Sequence, residues 1–350
     1  MGKHEIKKDN KTKKNGKKKG LKIFLAILLI IVILAGVGFG FIKSKLNKIN
    51  YVDINEEELG INDNANEELS EFRNIVLLGL DSRDMDNTKG SRSDAIIIVS
   101  INKNTKEVNL ISVYRDTYME IEGHGLDKVT HAHAYGGPAL TINTLNKNLD
   151  LNIKEFAAVN FEVVAELVDM MGGIELDIKQ SEVAEMNKYI DDTSKNTGIT
   201  SKKITKAGKQ TVNGIQAVTY SRIRKIAGGD YKRAERMRTV LMQTFEKAKT
   251  MNISTINKIA NKILPNIQTN ISSNEILATI PQMASYKVND NIGWPYKTQG
   301  ITLDRWYGVP VTLETNVKEL YKEVFKKEDY TPSESVQTIS EKIIKKTGYK

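Results

Sequence analysis

Ile75-Val76-Leu77-Leu78-Gly79-Leu80 is a nearly continuous apolar run, and Ala95-Ile96-Ile97-Ile98-Val99-Ser100-Ile101 is a second. Runs this short and this apolar predict strands covered on both faces. A third run, Val108 to Val113, follows Asn102-Lys103-Asn104, which supplies a hairpin-like turn. Between the first two runs stand Asp81-Ser82-Arg83, a polar loop, and Ser91-Arg92-Ser93-Asp94. Two carboxylates and two guanidiniums therefore converge where one strand ends and the next begins. Tyr114-Arg115-Asp116-Thr117 follows the third strand, and Ser221-Arg222-Ile223-Arg224, Arg233 and Arg236 come later. Arginine forks match phosphate oxygens two at a time. Paired carboxylates suit Mg²⁺, which is usually held by one or two carboxylates plus substrate phosphates. The mixture predicts a site for a metal-bound, multiply charged phosphate.

The 350 residues suffice for one large domain or two ordinary ones. The net charge of +9 is concentrated: the ten lysines of residues 1–22, less Glu5 and Asp9, account for +8 of it. The rest of the chain is near neutral, so the basic total is weak support for nucleic-acid binding. Ile23 to Ile42 carries no charge and is long enough to span a bilayer as a helix. The lysine-rich flank places 1–22 in the cytoplasm and the residues from about 45 onward outside. A cleaved signal peptide is disfavoured, because the run is long and no small-x-small site follows Ile42. There is no cysteine, which excludes disulfides, thiolate catalysis and cysteine-based zinc sites.

Residues 43–70, polar and acidic with Glu56-Glu57-Glu58, predict a juxtamembrane spacer. A domain over 71–325 follows, its motif core at 75–247, and 326–350 is expected to be a peripheral tail. Within the domain, Gly136-Gly137-Pro138 predicts the opening of a helix. Phe161, Val164, Ala165, Val168 and Met171 recur at helical spacing up to Gly172-Gly173. Ile174-Glu175-Leu176-Asp177-Ile178 alternates like a half-exposed strand. Asp230 is placed to cap a helix carrying Arg233 and Arg236. Strands mixed with helices predict an α/β or α+β sandwich.

The chain resembles the LytR–CpsA–Psr (LCP) family. The matching pieces are the basic tail and single span; Leu78 to Arg83; Arg92 to Ile96; Ile111 to Thr117; Lys128 to Gly137; Val159-Asn160-Phe161 and Val168 to Ile174; Tyr220 to Arg224; and Gly229-Asp230-Tyr231 with Arg233 and Arg236. Their order across about 75–240 makes the resemblance far more specific than any one of them. Two positions depart from the family's habit: Tyr114 where proline is common, and Met237 where glutamine is common. Neither removes a charge.

The resemblance implies an α-β-α sandwich, a mixed sheet flanked by helices, with a lipid tunnel leading from an arginine-lined mouth. It implies an extracytoplasmic, membrane-anchored phosphotransferase. Such an enzyme moves an anionic glycopolymer from a polyprenyl-diphosphate carrier to peptidoglycan through a phosphodiester; the paired carboxylates add Mg²⁺, with Mn²⁺ as the alternative, as the expected cofactor. Asp81 and Asp94 are the expected metal ligands, bordering strand ends where α/β sheets place ligands. Arg92, Arg115, Arg222, Arg224, Arg233 and Arg236 are the expected diphosphate clamp, with Arg83 and Lys128 as further members. Arg222 and Arg224 point the same way if the chain there is extended. Arg115 and Asp81 are the expected catalytic pair, Asp81 taking the acceptor's proton. The buried stripes of 138–171 are candidates for the tunnel wall. Asp81 and Asp94 are also what turn aspartates look like, and single arginines are commonly surface ion pairs. His131-Ala132-His133 lacks the further ligands that zinc needs. A polyprenyl-diphosphate hydrolase and a membrane-anchored lipid–glycan binding regulator stay open as alternatives. DNA reading does not, because a lysine tail has no fold with which to read bases.

Overall fold

The computed structural model describes residues 48–350, apart from 83, 227–228, 249 and 280–284. The basic tail and the apolar run of 23–42 lie outside the described residues. No described helix is long and apolar enough to cross a membrane.

A seven-stranded sheet forms the centre. Its spatial order is β1 (Asn50–Tyr51), β10 (Gln268–Thr269), β7 (Glu155–Asn160), β2 (Phe72–Leu80), β3 (Ser93–Asn102), β4 (Glu107–Val113) and β11 (Lys287–Trp294). The hairpin-connected pairs β2–β3 and β3–β4 are antiparallel, whereas β7 joins β2 and β11 joins β4 in parallel. The Asn102 side chain accepts from the backbone N–H groups of Asn104 and Thr105 at 2.9 Å each, closing the turn between β3 and β4.

The apolar runs divide by parity. Val76, Leu78, Leu80, Ile96, Ile98, Ile111 and Val113 enter one core. Ile75, Ile97, Val99, Ile101, Val108 and Leu110 enter another on the opposite face. Both faces are dry, which is why polar residues do not alternate into these strands. Helices α2 (Val129–Leu149), α9 (Leu313–Phe325) and α10 (Glu334–Thr347) contribute to the first core. Helices α3 (Phe161–Met170) and α7 (Ile253–Ile263) contribute to the second. A third core forms outside α3, from β8 (Ile174–Ile178), β9 (Gly208–Val212), α4 (Gln180–Thr197) and α5 (Gly214–Arg222). Helix α6 (Gly229–Ala248) bridges it to the second core through Val240 and Ala248. Short helices α1 (Asp63–Glu68) and α8 (Ser273–Thr279) and the hairpins β5 (Tyr118–Ile121)–β6 (Gly125–Lys128) and β12 (Thr298–Thr302)–β13 (Trp306–Pro310) complete the fold.

The sandwich matches the expectation, and three local readings are corrected. The described part of the 43–70 spacer is built into the domain: β1 pairs with β10, and Leu59, Ala65 and Leu69 are fully buried. Its glutamates face out while widely separated apolar residues face in, a spacing too irregular to read. The 326–350 tail is not peripheral either. Val336, Ile339 and Ile343 form a stripe on α10 that joins the first core. Tyr330 stacks on Tyr321 with centroids 3.4 Å apart. The buried Asp150 carboxylate accepts from Ser333 N–H at 2.7 Å and from Asn62 Nδ2 at 2.8 Å. Third, α2 begins at Val129, seven residues before the predicted opening. It breaks at Gly136 and Gly137, the latter at φ 64°, a left-handed value that glycine adopts without a Cβ clash, and resumes at Pro138.

Candidate active site

The pairing directions bring Leu80, Ser93, Val113, Asn160 and Trp294 to one end of the sheet. The site assembles there, beyond the carboxyl ends of β2, β4, β7 and β11. Asp94, at the start of β3, is its centre. One carboxylate oxygen accepts from Arg115 Nη1 and the other from Arg233 Nη2 at 2.8 Å. Asp116 Oδ2 lies 3.6 Å from Arg115 Nε, and Asp116 Oδ1 lies 2.8 Å from Lys128 Nζ. On the other side, Asp230 Oδ1 lies 3.4 Å from Arg233 Nη1 and 3.8 Å from Arg224 Nε. Four cations and three carboxylates thus alternate in a chain: Arg224, Asp230, Arg233, Asp94, Arg115, Asp116, Lys128.

Burial would push the Asp94 carboxyl up, but Arg233, Arg115 and Arg224 together hold it below the usual carboxylate range. Burial likewise opposes the charge on Arg115, yet Asp94, Asp116 and Asp230 raise it. Arg224 shifts the other way: burial and its neighbours Arg233 and Arg115 lower it. The Nε–H groups of Arg115 and Arg233 are buried without a hydrogen-bond partner. Such donors are costly to leave unmade, and an anion is the partner that suits a guanidinium N–H.

Behind this cluster lies an apolar cavity of about 160 Å³. Its walls include Leu77 of β2, Val159 of β7, Phe161 and Leu167 of α3, and Val240 and Leu241 of α6. Ala95, Ile97 and Met237 line both this cavity and the small space around Asp94, Arg115 and Arg233. A greasy slot therefore meets a charged mouth. Within the 138–171 stripes, α3 supplies wall residues, whereas Ile142, Leu145 and Leu149 of α2 pack into the core on the far face.

The other site candidates sit differently. Asp81 is exposed; its N–H donates to the Arg92 carbonyl at 2.9 Å, and Arg92 is also exposed. The register pairs Leu80 with Ser93 after a bulge, so Asp81 and Asp94 terminate adjacent strands. Arg83 lies outside the described residues. Arg222 and Arg224 do not share an extended segment: Arg222 is the last residue of α5. Its Nη1 donates to Thr193 Oγ1 at 2.9 Å, Nη2 approaches Asp192 at 3.3 Å, and the guanidinium lies 5.5 Å from the Phe161 ring centroid. Arg236 turns into the third core, donating from Nε to Glu182 Oε1 at 2.8 Å with both side chains buried. His131 Nδ1 pairs with Asp127 Oδ2 and His133 Nδ1 with the Ser91 carbonyl, each at 2.8 Å, so the two imidazoles serve different partners. Asp116 and Asp230 are the members given no place in the site by sequence reasoning. The signal was present, since Asp116 adjoins Arg115 and Asp230 precedes Arg233 by three residues, neighbours on a helix face.

Breaking the Arg236–Glu182 pair is a test of structure rather than of chemistry. Arg236→Ala is expected to cost on the order of 3–5 kcal/mol, because it strands a buried carboxylate. Urea unfolding measures this, and Arg236→Met with Glu182→Gln should recover much of the loss. A neutral Arg236→Ala would show that the pair is not holding α4 to α6.

The LytR_cpsA_psr family model matches residues 39–311. The polyisoprenyl-teichoic acid–peptidoglycan teichoic acid transferase TagT of Bacillus subtilis is 30% identical, over 85% of this chain and 92% of that protein. A TagU transferase of Enterococcus faecalis is 30% identical, over 74% and 82% respectively. The crystal structure of B. subtilis TagT superposes with a TM-score of 0.56 at 26% identity, covering 73% of this chain and 92% of that one. Fold, ordered motifs and extent of match agree: the chain belongs to the LytR–CpsA–Psr family.

Proposed function

We propose that the protein is a phosphotransferase that takes an anionic glycopolymer from a polyprenyl-diphosphate carrier and attaches it to peptidoglycan through a phosphodiester. The observation that carries this reading is the junction of an apolar cavity with two buried, unsatisfied guanidinium N–H groups. A polyprenyl chain suits the first and a diphosphate the second. The names of TagT and TagU support the same chemistry.

In this reading the prenyl tail enters between the sheet and α6, and Arg115 and Arg233 grip diphosphate oxygens. Asp94 fixes both guanidiniums, so the grip needs little reorganisation when charge develops. An acceptor sugar hydroxyl attacks the phosphorus bearing the glycopolymer. The bridging P–O bond breaks, polyprenyl monophosphate leaves with that bond's electrons, and the hydroxyl proton passes to a carboxylate. Asp94 is committed to two arginines, so exposed Asp81 is the better base. The chemistry is positional and electrostatic, as in phosphoryl transfer generally.

A divalent ion fits the donor set. A carboxylate has about four lone-pair positions, and Asp94 uses two on arginines. Asp94 and one oxygen of Asp81 would hold Mg²⁺ or Mn²⁺ together with the substrate, leaving the other Asp81 oxygen for the acceptor's proton. Bound there, the ion would offset charge on the phosphate oxygens. The domain is placed outside the cell by an anchor at residues 23–42.

The test incubates the full-length protein in detergent with a polyprenyl-diphosphate oligosaccharide and uncross-linked peptidoglycan, with Mg²⁺ or with chelator. Mass spectrometry should find a phosphodiester adduct that the chelator and Arg115→Ala both abolish. Released lipid phosphate without adduct would indicate hydrolysis instead. Tight lipid binding without turnover would indicate a binding protein.

A further inference from the structure

Among the described residues, five large apolar or aromatic side chains are exposed, and three of them, Tyr135, Leu303 and Trp306, belong to one corner of the fold. Leu303 and Trp306 bracket the tip of the β12–β13 hairpin, where the Leu303 N–H donates to the Arg305 carbonyl at 3.0 Å. They are 38% and 43% exposed. The Trp306 indole lies across Gly300, where a Cβ would fall 2.8 Å from its Nε1. Tyr135 of α2 stacks on exposed His124 with centroids 4.2 Å apart, and it lies within electrostatic reach of Asp304 and Arg305. Tyr307 of β13 meets Tyr118 of β5 with centroids 4.6 Å apart, which holds the two hairpins together.

Charge and position both bear on what covers this corner. The Tyr349 hydroxyl donates to the Gly300 carbonyl at 3.1 Å, which brings the carboxyl end of α10 against the same hairpin. The last turn of α10 carries Lys345 and Lys346, both exposed. The nearby acids are already answered: Asp304 by Arg305 at 2.8 Å and Tyr307 at 2.7 Å, Asp127 by His131 at 2.8 Å and Tyr135 at 2.7 Å. The rim is therefore basic around an apolar tip. As for position, the Gly308 N–H donates to the Asp116 carbonyl at 3.0 Å, one residue from Arg115, so the hairpin stands at the mouth end of the sheet. Asn50 Nδ2 donates to Asp86 Oδ1 at 3.3 Å, in the loop that leads to Asp94. The chain thus enters the domain at that same end, and the proposed anchor would turn it toward the bilayer.

We propose that the β12–β13 tip is a membrane-docking surface: Trp306 and Leu303 enter the boundary between headgroups and acyl chains, and Lys345 and Lys346 meet anionic headgroups. Tryptophan and tyrosine favour that layer because each joins an apolar body to a polar tip. A lysine beside an anionic bilayer adds about a fivefold preference. A protein partner suits the tip less well, because a stable interface takes roughly 20–30 residues a side. The docking surface draws on the proposed anchor for its orientation and is independent of the phosphotransferase reading.

The chain has two tryptophans, and Trp294 is fully buried, so a quencher carried by lipid reports on Trp306. Full-length protein is mixed with vesicles of phosphatidylglycerol or of phosphatidylcholine, each with brominated acyl chains. Sedimentation with both kinds of vesicle reports on the anchor, and quenching reports on docking. Phosphatidylglycerol should quench the share of emission that Trp306→Phe removes, and phosphatidylcholine should quench less of it. Lys345→Gln with Lys346→Gln should lower the ratio of docked to undocked protein on phosphatidylglycerol by about 25-fold, fivefold for each lysine, at an unchanged melting temperature. Equal quenching of wild type and Trp306→Phe, in protein that sediments with the vesicles, would overturn the docking surface and leave the anchor standing. Quenching indifferent to lipid charge and to the lysine substitutions would overturn it too. So would an emission shift that follows protein density rather than brominated lipid, which would assign the tip to a second copy of the chain.

Discussion

Asp94→Asn should lower transfer activity by on the order of 10²–10³-fold and stability by about 3–5 kcal/mol. The substitution keeps the shape and removes the charge on which Arg115 and Arg233 close. Both arginine side chains are largely buried, at 13% and 3% exposure, so water can replace little of what is lost. The pH dependence follows from the sign of the shift. The folded Asp94 carboxyl lies below its unfolded value, so its stabilisation is present above about pH 4 and is lost as pH falls through the folded value. Urea midpoints measured from neutral to strongly acid pH should therefore fall less steeply for Asp94→Asn than for wild type. Inorganic pyrophosphate should stabilise the variant more than wild type, since an added anion takes over the missing charge. An Asp94→Asn protein with wild-type acid sensitivity and no gain from pyrophosphate would remove Asp94 from the centre of the cluster.

Val159→Trp should reduce transfer from a long-chain polyprenyl donor by about 100-fold or more. Val159 lies on β7 at the wall of the apolar cavity, and an indole there would occupy volume open to a prenyl chain. Excluding as few as four methylenes forfeits about 3 kcal/mol at roughly 0.8 kcal/mol each, which corresponds to about a hundredfold in affinity. The bulk enters an existing space, so the fold should survive with a melting temperature at or near wild type. Pyrophosphate binding at the arginines should persist. The decisive comparison is donor KM against prenyl length. An unchanged KM for long donors would mean that the chain binds elsewhere.

The strands were legible because their burial is written in the sequence twice, once on each parity. Residues 75–80, 95–101 and 108–113 all fall in observed strands, and α3 ends at Gly172-Gly173 as its pattern requires. Arg115, Arg224, Arg233, Asp94 and Lys128 were recognisable as charged residues at strand and helix ends, and they do meet. Arg222 and Arg236 carried the same signal yet turn to Asp192 and Glu182. What redirects them is α4, whose Asp192 and Glu182 lie 30 and 54 residues from Arg222 and Arg236 and look like surface charge. The burial of α10 was hidden for a similar reason. Its stripe is flanked by lysines and glutamates, and only the complementary surface of α9, α2 and β5 makes it core.

Under the proposed function, the pairing of β1 with β10 would also set how far the domain can work from the bilayer. With the proposed anchor ending at Ile42, seven residues, 43–49, would remain before Asn50, which pairs at the sheet edge. Fully extended, they reach about 25 Å. This is a short leash. Under the proposed function it would hold the domain to the layer of wall nearest the bilayer. Mature wall farther out would then lie beyond reach, and the place of attachment would be decided by tether length as much as by any feature of the acceptor.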